Sequence, residues 1–431
     1  MKVLSLFDGM ACGMIAMQLA GVDVESYDAY EIDKYAIKTA QHNFPMIKEH
    51  GDVFEADFTQ YDGVDFLIGG SPCTYWSIAQ TKNRETVASG MGWELFSQYV
   101  RALHEAKPKY FIYENNKSMS KDIRSSIDKA FGFEAVLINS ALVSAQNRQR
   151  LYWVGRRNED GTYSKVNVEQ PTDRGILLRD ILADGIVWQE KSYTITTRCC
   201  GAIPEDTLKR HRHTMAAEPV ACRCRGRVDA SGNGYAKYEC REDGKANTLD
   251  TNTVNGAMVA EPVECKTIIN SIPEIAEKFG YVPEMFNAYN RAEITDKAPT
   301  LSTGSMATSS CAVNRFEDVC GYATLCEWGE SGNPTKAVSA ADGKTYTLYE
   351  VKDGQITIKG KQYPIKLKDG YYIIRKLTVS ECKRLQTVPE WYEFPVSNSQ
   401  AYKMLGNGWT CEVIAHLIRS CMAEQWGGID G

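Results

Sequence analysis

The sequence predicts an α/β protein in which a doubly wound, Rossmann-like parallel sheet is joined to a second, β-rich domain. Short β-type runs alternate with helical patterns through the first 155 residues, as they do in stacked βαβ units. From about residue 186 to 370 the chain changes to short Thr- and Val-rich runs broken by Gly, Asn, Asp and Pro, which predicts separate β structure. The alternating segments are, in order, Lys2–Phe7, Gly13–Ala20, Val24–Tyr30, Lys34–Asn43, Phe66–Gly69 and Tyr110–Glu114.

The length of the chain supports two domains, because single hydrophobic cores rarely grow beyond roughly 250 to 300 residues and this chain has 431. We assign residues 1–185 to the first domain and residues 186–374 to the second. Residues 375–397 lead back to the first domain, and residues 398–425 complete it. The helical patterns that support this return are Val379–Leu385 and Gln400–Met422.

A short pattern recurs inside the expected second domain. Lys-small-x-Thr-aliphatic-x-Thr begins at Lys191, Lys245 and Lys297. Repetition of this kind predicts three related strand-turn modules. The one convincing helix in this stretch is Pro273–Phe279.

The composition is that of an ordinary globular protein, with 43% hydrophobic and 24% charged residues. No stretch approaches the roughly 20 consecutive apolar residues that cross a bilayer, and Asp8 comes too early for a secretory signal. We therefore expect a cytoplasmic protein. The 14 Cys residues follow no regular framework, which favours free thiols over a disulfide scaffold.

The charge distribution permits contact with nucleic acid, although the formal net charge is −6. Residues 191–227 carry eight Lys or Arg against three Asp or Glu. Local basic patches, rather than total charge, decide phosphate binding. This segment is the best candidate for contacting phosphates, and a solvated loop is an equally good interpretation.

Three strand ends in the first domain indicate a cofactor that carries a nucleoside. Phe7–Gly13 is a Gly-containing turn between a strand and a helix, where backbone and helix N-terminus can approach a ligand. Glu31 follows the second strand, at a spacing suited to ribose hydroxyls. Asp52 follows a third strand end.

The strongest chemical signal is Gly69–Cys73, which directly follows the apolar run Phe66–Ile68. A thiol after a Pro-stiffened turn at a strand end is exposed and oriented, as a nucleophile must be. A small buried hydrophobe is the usual fate of Cys, but the position of Cys73 favours the nucleophile.

Two further elements supply polar groups near this thiol. Tyr110–Glu114 delivers an acid to a neighbouring strand end, where it can hydrogen-bond a ring nitrogen of a base. Gln146, Arg148 and Arg150 precede the strand Leu151–Val154, and their guanidinium groups can hold phosphate or a carbonyl.

These motifs, in this order, resemble the cytosine carbon-5 DNA methyltransferase family over residues 1–155 and 375–425. Residues 375–386 are similar to its ninth motif and residues 402–408 to its tenth. The resemblance implies an S-adenosylmethionine-dependent methyltransferase sheet. The catalytic residues it implies are Cys73 as nucleophile, Glu114 as the base-holding acid, Arg148 and Arg150. The cofactor-binding residues it implies are Phe7, Asp8, Gly9, Gly13, Glu31, Ile32, Asp52, Val53, Pro72, Asn407 and Trp409.

The resemblance further implies that the protein methylates a flipped-out cytosine in a specific sequence of double-stranded DNA. Flipping is needed because the reaction cannot take place inside a stacked duplex. The second domain becomes the target-recognition domain, and a cognate restriction endonuclease becomes a candidate partner of a monomeric enzyme. The DNA-binding candidates are Ser71, Gln146, Lys191, Arg198, Arg223, Arg225 and Arg227.

Some positions depart from the common bacterial pattern of this family. Ser71 replaces Pro before Pro-Cys, Asn116 replaces Val after Glu-Asn, and Gly408-Trp409 replaces Ser-Val. The strings around Phe7 and Cys73 are instead similar to those of the eukaryotic de novo DNA methyltransferases. Every catalytic group of the family is retained.

Two alternatives remain open at this point. An RNA cytosine-5 methyltransferase shares the same core, although the long second domain favours duplex DNA. An inactive DNA-binding regulator would keep the fold, although the retained catalytic groups count against it. We expect no metal, because the remaining Cys/His cluster lacks a clean CxxC pair. The members of that cluster are Cys199, Cys200, His211, His213, Cys222 and Cys224.

Overall fold

The structure is a computed structural model of the chain, and it divides into two compact units. Unit 1 comprises residues 1–182, 189–214 and 376–431, and unit 2 comprises residues 183–188 and 215–375. The residues that the structure describes are 1–77, 84–220, 223–228, 234–239, 285–287, 292–293, 311–312, 326–328, 334–338 and 344–426.

Unit 1 is built on a mixed eight-stranded sheet with the order β3-β2-β1-β4-β5-β7-β6, in which β8 pairs with β7. The first five strands in this order are parallel, whereas β7 runs antiparallel to β5, β6 and β8. The strands are β1 (Lys2–Leu6), β2 (Ser26–Tyr30), β3 (Lys48–Glu49), β4 (Phe66–Gly69), β5 (Tyr110–Asn116), β6 (Val136–Asn139), β7 (Gln149–Arg157) and β8 (Tyr163–Lys165).

The strand order reverses direction between β1 and β4. Ligands on doubly wound sheets bind beyond the carboxyl ends of the strands at such a switch point. The predicted parallel sheet is therefore confirmed for β1 to β5. The antiparallel β7 was not predicted, and it brings its own first residues to the same edge.

Eight α-helices accompany the described part of unit 1. Several begin at a side-chain cap, as at Ser120, whose hydroxyl accepts from the amide of Ile123, and at Thr378, which forms a capping box with Glu381. The helices are α1 (Cys12–Leu19), α2 (Lys34–Asn43), α3 (Met91–Ala106), α4 (Lys121–Phe131), α5 (Pro204–Arg210), α6 (Val379–Leu385), α7 (Asn398–Asn407) and α8 (Cys411–Trp426).

The C-terminal helical pattern forms two helices where the sequence predicted one. The chain breaks between α7 and α8 at Gly408–Thr410, where Gly disfavours a continuous helix. The break exposes Asn407 and leaves Trp409 buried. Helix α8 packs against α1, so the end of the chain completes the domain that its beginning starts.

Segment 189–214 lies in unit 1, whereas the sequence analysis placed it in the second domain. Its first predicted strand-turn module, Lys191–Thr197, is irregular and forms a single bridge between Gln146 and Ser192. Backbone bonds such as Ser192 N to Ala145 O (2.7 Å) tie it to the chain before β7. The modules at Lys245 and Lys297 and the helix Pro273–Phe279 lie outside the described residues.

Unit 2 is β-rich, as the sequence predicted. Its largest described sheet has the order β15-β16-β17-β18-β19, with β20 pairing with both β17 and β9. Smaller sheets pair β10 with β11, and β12 with β13 and β14. The strands are β9 (Met215–Val220), β10 (Arg223–Val228), β11 (Gly234–Glu239), β12 (Met285–Asn287), β13 (Ala292–Glu293), β14 (Cys311–Ala312), β15 (Cys326–Trp328), β16 (Pro334–Val338), β17 (Thr345–Lys352), β18 (Gln355–Ile358), β19 (Lys361–Pro364) and β20 (Gly370–Lys376).

A buried ion pair lies within unit 2. The Arg375 guanidinium bonds the Glu218 carboxylate, and both side chains are fully buried. The same guanidinium donates to the carbonyl of Asp184 (2.6 Å). Removal of one partner from such a pair leaves an uncompensated buried charge, so replacing either residue alone would destabilise the strands that carry them.

Within the described residues, no helix is both long enough and apolar enough to span a membrane.

Close packing across the sheet of unit 1 is tightest at Gly155. A Cβ atom there would lie 2.2 Å from Cε1 of Phe111, a fully buried ring. We expect Gly155→Ala to lower the free energy of unfolding by about 1–3 kcal/mol through overpacking. Thermal unfolding followed by circular dichroism measures the change. Gly201→Ala is the control, because nothing lies within 4 Å of the added methyl group, and an equal loss in both variants would contradict the packing argument.

Candidate active site

The candidate site lies at the carboxyl ends of β1, β4 and β5. Leu6 pairs with Gly69, and Gly69 pairs with Tyr113, so the three strands end side by side. Strand β7 begins at the same edge, where Arg150 pairs with Asn116. The motifs that the sequence placed at separate strand ends are therefore neighbours.

The loop after β1 is a sharp turn built from left-handed backbone. Phe7, Gly9 and Ala11 have φ of +58°, +63° and +59°, a region that costs free energy for residues with a Cβ atom. Gly13 is required for packing, since a Cβ atom there would lie 2.3 Å from Cδ1 of Ile68. The loop is thus held close to the sheet.

Glu31 fixes this loop to the end of β2. Its Oε2 accepts from the amide of Gly9 (2.9 Å), and its Oε1 accepts from the amides of Ile32 and Asp33 (2.8 Å each). Carboxylates that accept several backbone N–H groups are firmly oriented. Glu31, for which the sequence predicts contact with ribose, therefore positions the loop Phe7–Gly13.

Asp8 is buried beneath the loop with one oxygen satisfied. Ser5 (2.5 Å) and Tyr27 (2.6 Å) donate their hydroxyls to Oδ1, whereas Oδ2 is buried without a hydrogen-bond partner in the described structure. Burial raises the pKa of Asp8 to about 6, against the lowering effect of the two hydroxyls, and nearby Glu31 raises it further.

Glu49, at the end of β3, is an acid that the sequence analysis missed. Both of its carboxylate oxygens are buried and have no hydrogen-bond partner among the described groups. Burial raises the pKa of Glu49 to about 8, and the charges of Asp8 and Glu31 add to the effect. Its only sequence signal is its place three residues before Asp52, in a strand of two residues.

The other predicted cofactor residues divide between surface and core. Ile32 is 74% exposed, which suits contact with a bound ring, whereas Val53 packs in the hydrophobic core. Asp52 caps a short 3-10 helix by accepting from the amide of Phe54 (3.0 Å). Pro72 and Asn407 are exposed.

Glu114 is held by two donors from distant parts of the chain. Arg150 Nε lies 3.0 Å from Oε1, and Trp409 Nε1 donates to Oε2 at 3.0 Å. The carboxylate also lies against the chain after β4, since a Cβ atom on Gly70 would be 2.9 Å from Oε2. Glu114 is 8% exposed, so both bonds act in a largely dehydrated site.

The chain from Ser71 to Cys73 leaves the end of β4 beside this carboxylate. Ser71 is buried, its hydroxyl lies 2.6 Å from the Tyr113 hydroxyl, and its carbonyl accepts from Asn115 (3.2 Å). Cys73 begins a 3-10 helix, Cys73–Tyr75. The backbone thus brings the predicted nucleophile and the predicted base-holding acid to adjacent strand ends.

Arg148 has surroundings different from those the sequence predicted. Its guanidinium is buried and donates to the carbonyls of Ile195 (3.2 Å), Gly406 (3.3 Å) and Gly408 (2.8 Å). These bonds hold the turn before Trp409. This arrangement favours a positioning role for Arg148 over direct contact with substrate.

Two residues predicted to contact DNA, Gln146 and Lys191, instead form hydrogen bonds within the protein. Gln146 is fully buried and bonds the carbonyl of Leu385 and the amide of Ile195. The Lys191 ammonium donates to the carbonyls of Ala141, Ser144 and Ile176, which uses all three of its protons.

The remaining predicted DNA contacts lie elsewhere. Arg198 is exposed in unit 1. Arg223, Arg225 and Arg227 lie in β10 of unit 2, opposite Glu239, Lys237 and Tyr235 of β11.

Within the described residues, no group of three or more His, Cys, Asp or Glu side chains could hold a metal ion. Cys222 of the sequence cluster lies outside the described residues.

The raised pKa values of Asp8 and Glu49 predict a pH-dependent cost to stability. Each group binds its proton more tightly in the folded protein than in the unfolded chain, so folding loses free energy as pH rises through this interval. For Glu49 the interval runs from 4.5 to about 8, and for Asp8 from 3.8 to about 6. Glu49→Gln removes the ionisable group. We therefore expect its melting temperature, relative to that of the wild type, to increase as pH rises from 4.5 to about 8 and to stay constant above that.

Asp8→Asn is the comparison variant. Its melting temperature relative to that of the wild type should stop increasing near pH 6, because the pKa of Asp8 is about 6. Melting temperatures of the two variants and the wild type between pH 4.5 and 8.5 measure both intervals. If the melting temperature of each variant differed from that of the wild type by the same amount at every pH, the raised pKa values of Asp8 and Glu49 would be contradicted.

The chain is similar to several known proteins. A curated relative, the orphan methyltransferase M.SPRI of Bacillus phage SPR, is 26% identical, and the match covers 97% of each chain. The type II methyltransferase M1.ScrFI of Lactococcus lactis subsp. cremoris is 30% identical over 46% of this chain and 51% of its own. Among solved structures, DNMT2 of Spodoptera frugiperda matches with a TM-score of 0.48 and 14% identity, covering 98% of this chain and 99% of that one.

The family described as C-5 cytosine-specific DNA methylase matches residues 1–423. Because this match spans nearly the whole sequence and includes every strand end of the site, the chain belongs to the C-5 cytosine-specific DNA methylase family.

Proposed function

We propose that the protein transfers a methyl group from S-adenosylmethionine to carbon 5 of a flipped-out cytosine in double-stranded DNA, through a covalent adduct with Cys73. The observation that carries this proposal is the Glu114 carboxylate. It is held by Arg150 and Trp409 at a strand end, against the chain that leads from Gly70 to Cys73.

Cys73 activates the base. Carbon 5 of cytosine is a poor nucleophile, and addition of a thiolate at carbon 6 converts the ring to an enamine-like species that is nucleophilic at carbon 5. Once carbon 5 has taken the methyl group, loss of the carbon-5 proton to solvent and expulsion of the Cys73 sulfur as a thiolate restore aromaticity. Cys73 is the first residue of a short 3-10 helix and directly follows Pro72.

Glu114 holds the base and draws electron density away from carbon 6. As the acid, the carboxyl group carries the proton that it donates in a hydrogen bond to ring nitrogen 3, which favours addition of the thiolate. Arg150 and Trp409 fix the carboxylate, so little reorganisation is needed when the base arrives. A fixed donor of this kind reads the edge of an extruded base.

The residues around the first loop fit S-adenosylmethionine. When bound, this donor supplies an electrophilic methyl group on a sulfonium sulfur. Asp8 has a buried, unpartnered oxygen beside the loop, which suits a cationic ligand. Glu31 would hold the ribose hydroxyls, and exposed Ile32 would cover the adenine.

Unit 2 would serve as the target-recognition domain, with Arg223, Arg225 and Arg227 as contacts to DNA. Arg198 would add a phosphate contact from unit 1, where it is exposed. Phosphate contacts hold the duplex, and base contacts select the sequence.

Replacement of Cys73 tests the covalent step. We expect Cys73→Ala to lose methyl transfer by on the order of 10³-fold or more and to form no adduct with DNA that contains 5-fluorocytosine. Transfer of tritiated methyl groups to DNA and denaturing gels of trapped complexes are the two measurements. Cys200→Ser is the matched control and should keep both activities.

Two outcomes would reject the proposal. Unchanged transfer by Cys73→Ala would remove the nucleophile, and label that enters tRNA but not DNA would identify an RNA methyltransferase.

Removing Glu114 should slow methyl transfer more than removing the hydrogen bond that Trp409 donates to it. Glu114→Gln should slow transfer by on the order of 10²- to 10⁴-fold. Trp409→Phe keeps an aromatic side chain but removes the indole N–H that donates to Oε2 of Glu114. It should slow transfer by about 10- to 100-fold, because a hydrogen bond to a charged group contributes about 1.5–3 kcal/mol. Single-turnover rates with saturating DNA and donor measure both losses.

Trp391→Phe is the control for the second variant, because Trp391 is 52% exposed and lies outside the site. A Trp409→Phe rate equal to that of the control would mean that the bond to Glu114 does not support catalysis.

A further inference from the structure

A pair of cysteines lies in a surface cleft that the methylation mechanism does not use. Cys199 begins a one-turn 3-10 helix, and Cys382 lies in α6. The cleft that they share is also lined by Lys376, Ile195 and Leu385. All of these residues belong to unit 1.

The two thiols line the same cleft and differ in character. A hydrogen bond from the Cys382 thiol, helped by the nearby Lys376 ammonium, lowers the pKa of Cys199. The same contact and burial raise the pKa of Cys382 well above its usual range. Cys199 therefore has the lower pKa of the two thiols.

The position of the Lys376 ammonium is fixed. It donates to the carbonyl of Cys200 (2.7 Å) and lies 5.2 Å from the centroid of the Tyr402 ring. A cation fixed beside a thiol stabilises the thiolate, which is the reactive form.

The exposure of the two thiols matches this division of roles. Cys199 is partly exposed at the cleft, whereas Cys382 is 2% exposed. An oxidant from solvent therefore reaches Cys199 first. No third Cys, His, Asp or Glu completes a metal site with them in the described structure, so thiol chemistry is the better use of this pair.

We propose that Cys199 and Cys382 form a reactive dithiol, a covalent modification site that closes to an intramolecular disulfide when a peroxide oxidises it.

The chemistry balances in two steps. The Cys199 thiolate attacks one oxygen of hydrogen peroxide and breaks the O–O bond, which gives a sulfenic acid and, after proton uptake, one water. The Cys382 thiol then attacks the sulfenic sulfur and expels the hydroxyl group as a second water. Two thiols are oxidised by two electrons, and the peroxide is reduced.

The disulfide would act next to the turn that precedes Trp409. Gly406 of α7 packs directly on the Thr196–Thr197 backbone, since a Cβ atom at Gly406 would lie 2.5 Å from it. Gln386, just after α6, donates to the carbonyls of Leu405 (2.6 Å) and Gly408 (3.2 Å). A bond from Cys199 to Cys382 would join the two segments that support this turn.

The direct test is peptide mapping of the oxidised full-length protein. Reduced protein is treated with stoichiometric hydrogen peroxide, free thiols are blocked with iodoacetamide, and non-reducing digests are analysed by mass spectrometry. We expect a linked peptide pair containing Cys199 and Cys382 that disappears after reduction. The matched variant Cys200→Ser should form the same pair. Recovery of Cys199 as a free or overoxidised thiol, or its linkage to Cys200, would overturn the proposal.

A second measurement tests the unequal roles without oxidant. The rate of alkylation of Cys199 by iodoacetamide at pH 7 should fall by about threefold or more in Cys382→Ala, because the hydrogen bond that favours the thiolate is lost. Cys382→Ser keeps a donor and should restore most of the rate. Equal rates in the wild type and Cys382→Ala would show that Cys382 does not activate Cys199. Peptide mapping and the alkylation rate are the readouts, rather than catalytic activity.

Discussion

The arrangement of the site depends on the two hydrogen bonds that hold the Glu114 carboxylate. Arg150 comes from the start of β7 and Trp409 from the turn between α7 and α8, so one carboxylate connects segments almost 300 residues apart in sequence. A largely buried acid without partners would carry a high desolvation cost. The two donors offset this cost and at the same time fix the orientation of the carboxylate.

A second layer of buried polar groups keeps Trp409 in place. Arg148 donates to the carbonyls of Gly406 and Gly408, and Gln386 donates to the carbonyls of Leu405 and Gly408. The turn between two helices exposes several backbone carbonyls that need donors. Long side chains supply them here, which explains why residues that read as DNA or substrate contacts in the sequence lie inside the protein.

The cofactor loop combines backbone strain with buried charge. Phe7 and Ala11 have left-handed backbone within the loop, and the carboxyl groups of Asp8 and Glu49 are poorly satisfied. Such features oppose folding and are usually retained where a ligand compensates for them. The exposed Ile32 beside the loop agrees with a surface that a bound nucleoside would cover.

The sequence by itself determined the parallel sheet, the strand-end positions of Glu31, Cys73 and Glu114, and the β-rich second unit, because period-2 patterns and turn residues are local properties of the chain. Only the tertiary structure decided the antiparallel β7, the burial of Arg148 and Gln146, the isolation of Glu49 and the pairing of Cys199 with Cys382. These depend on contacts between residues far apart in sequence. A side chain's type shows which bonds it can make, whereas its neighbours in space decide which bonds it does make.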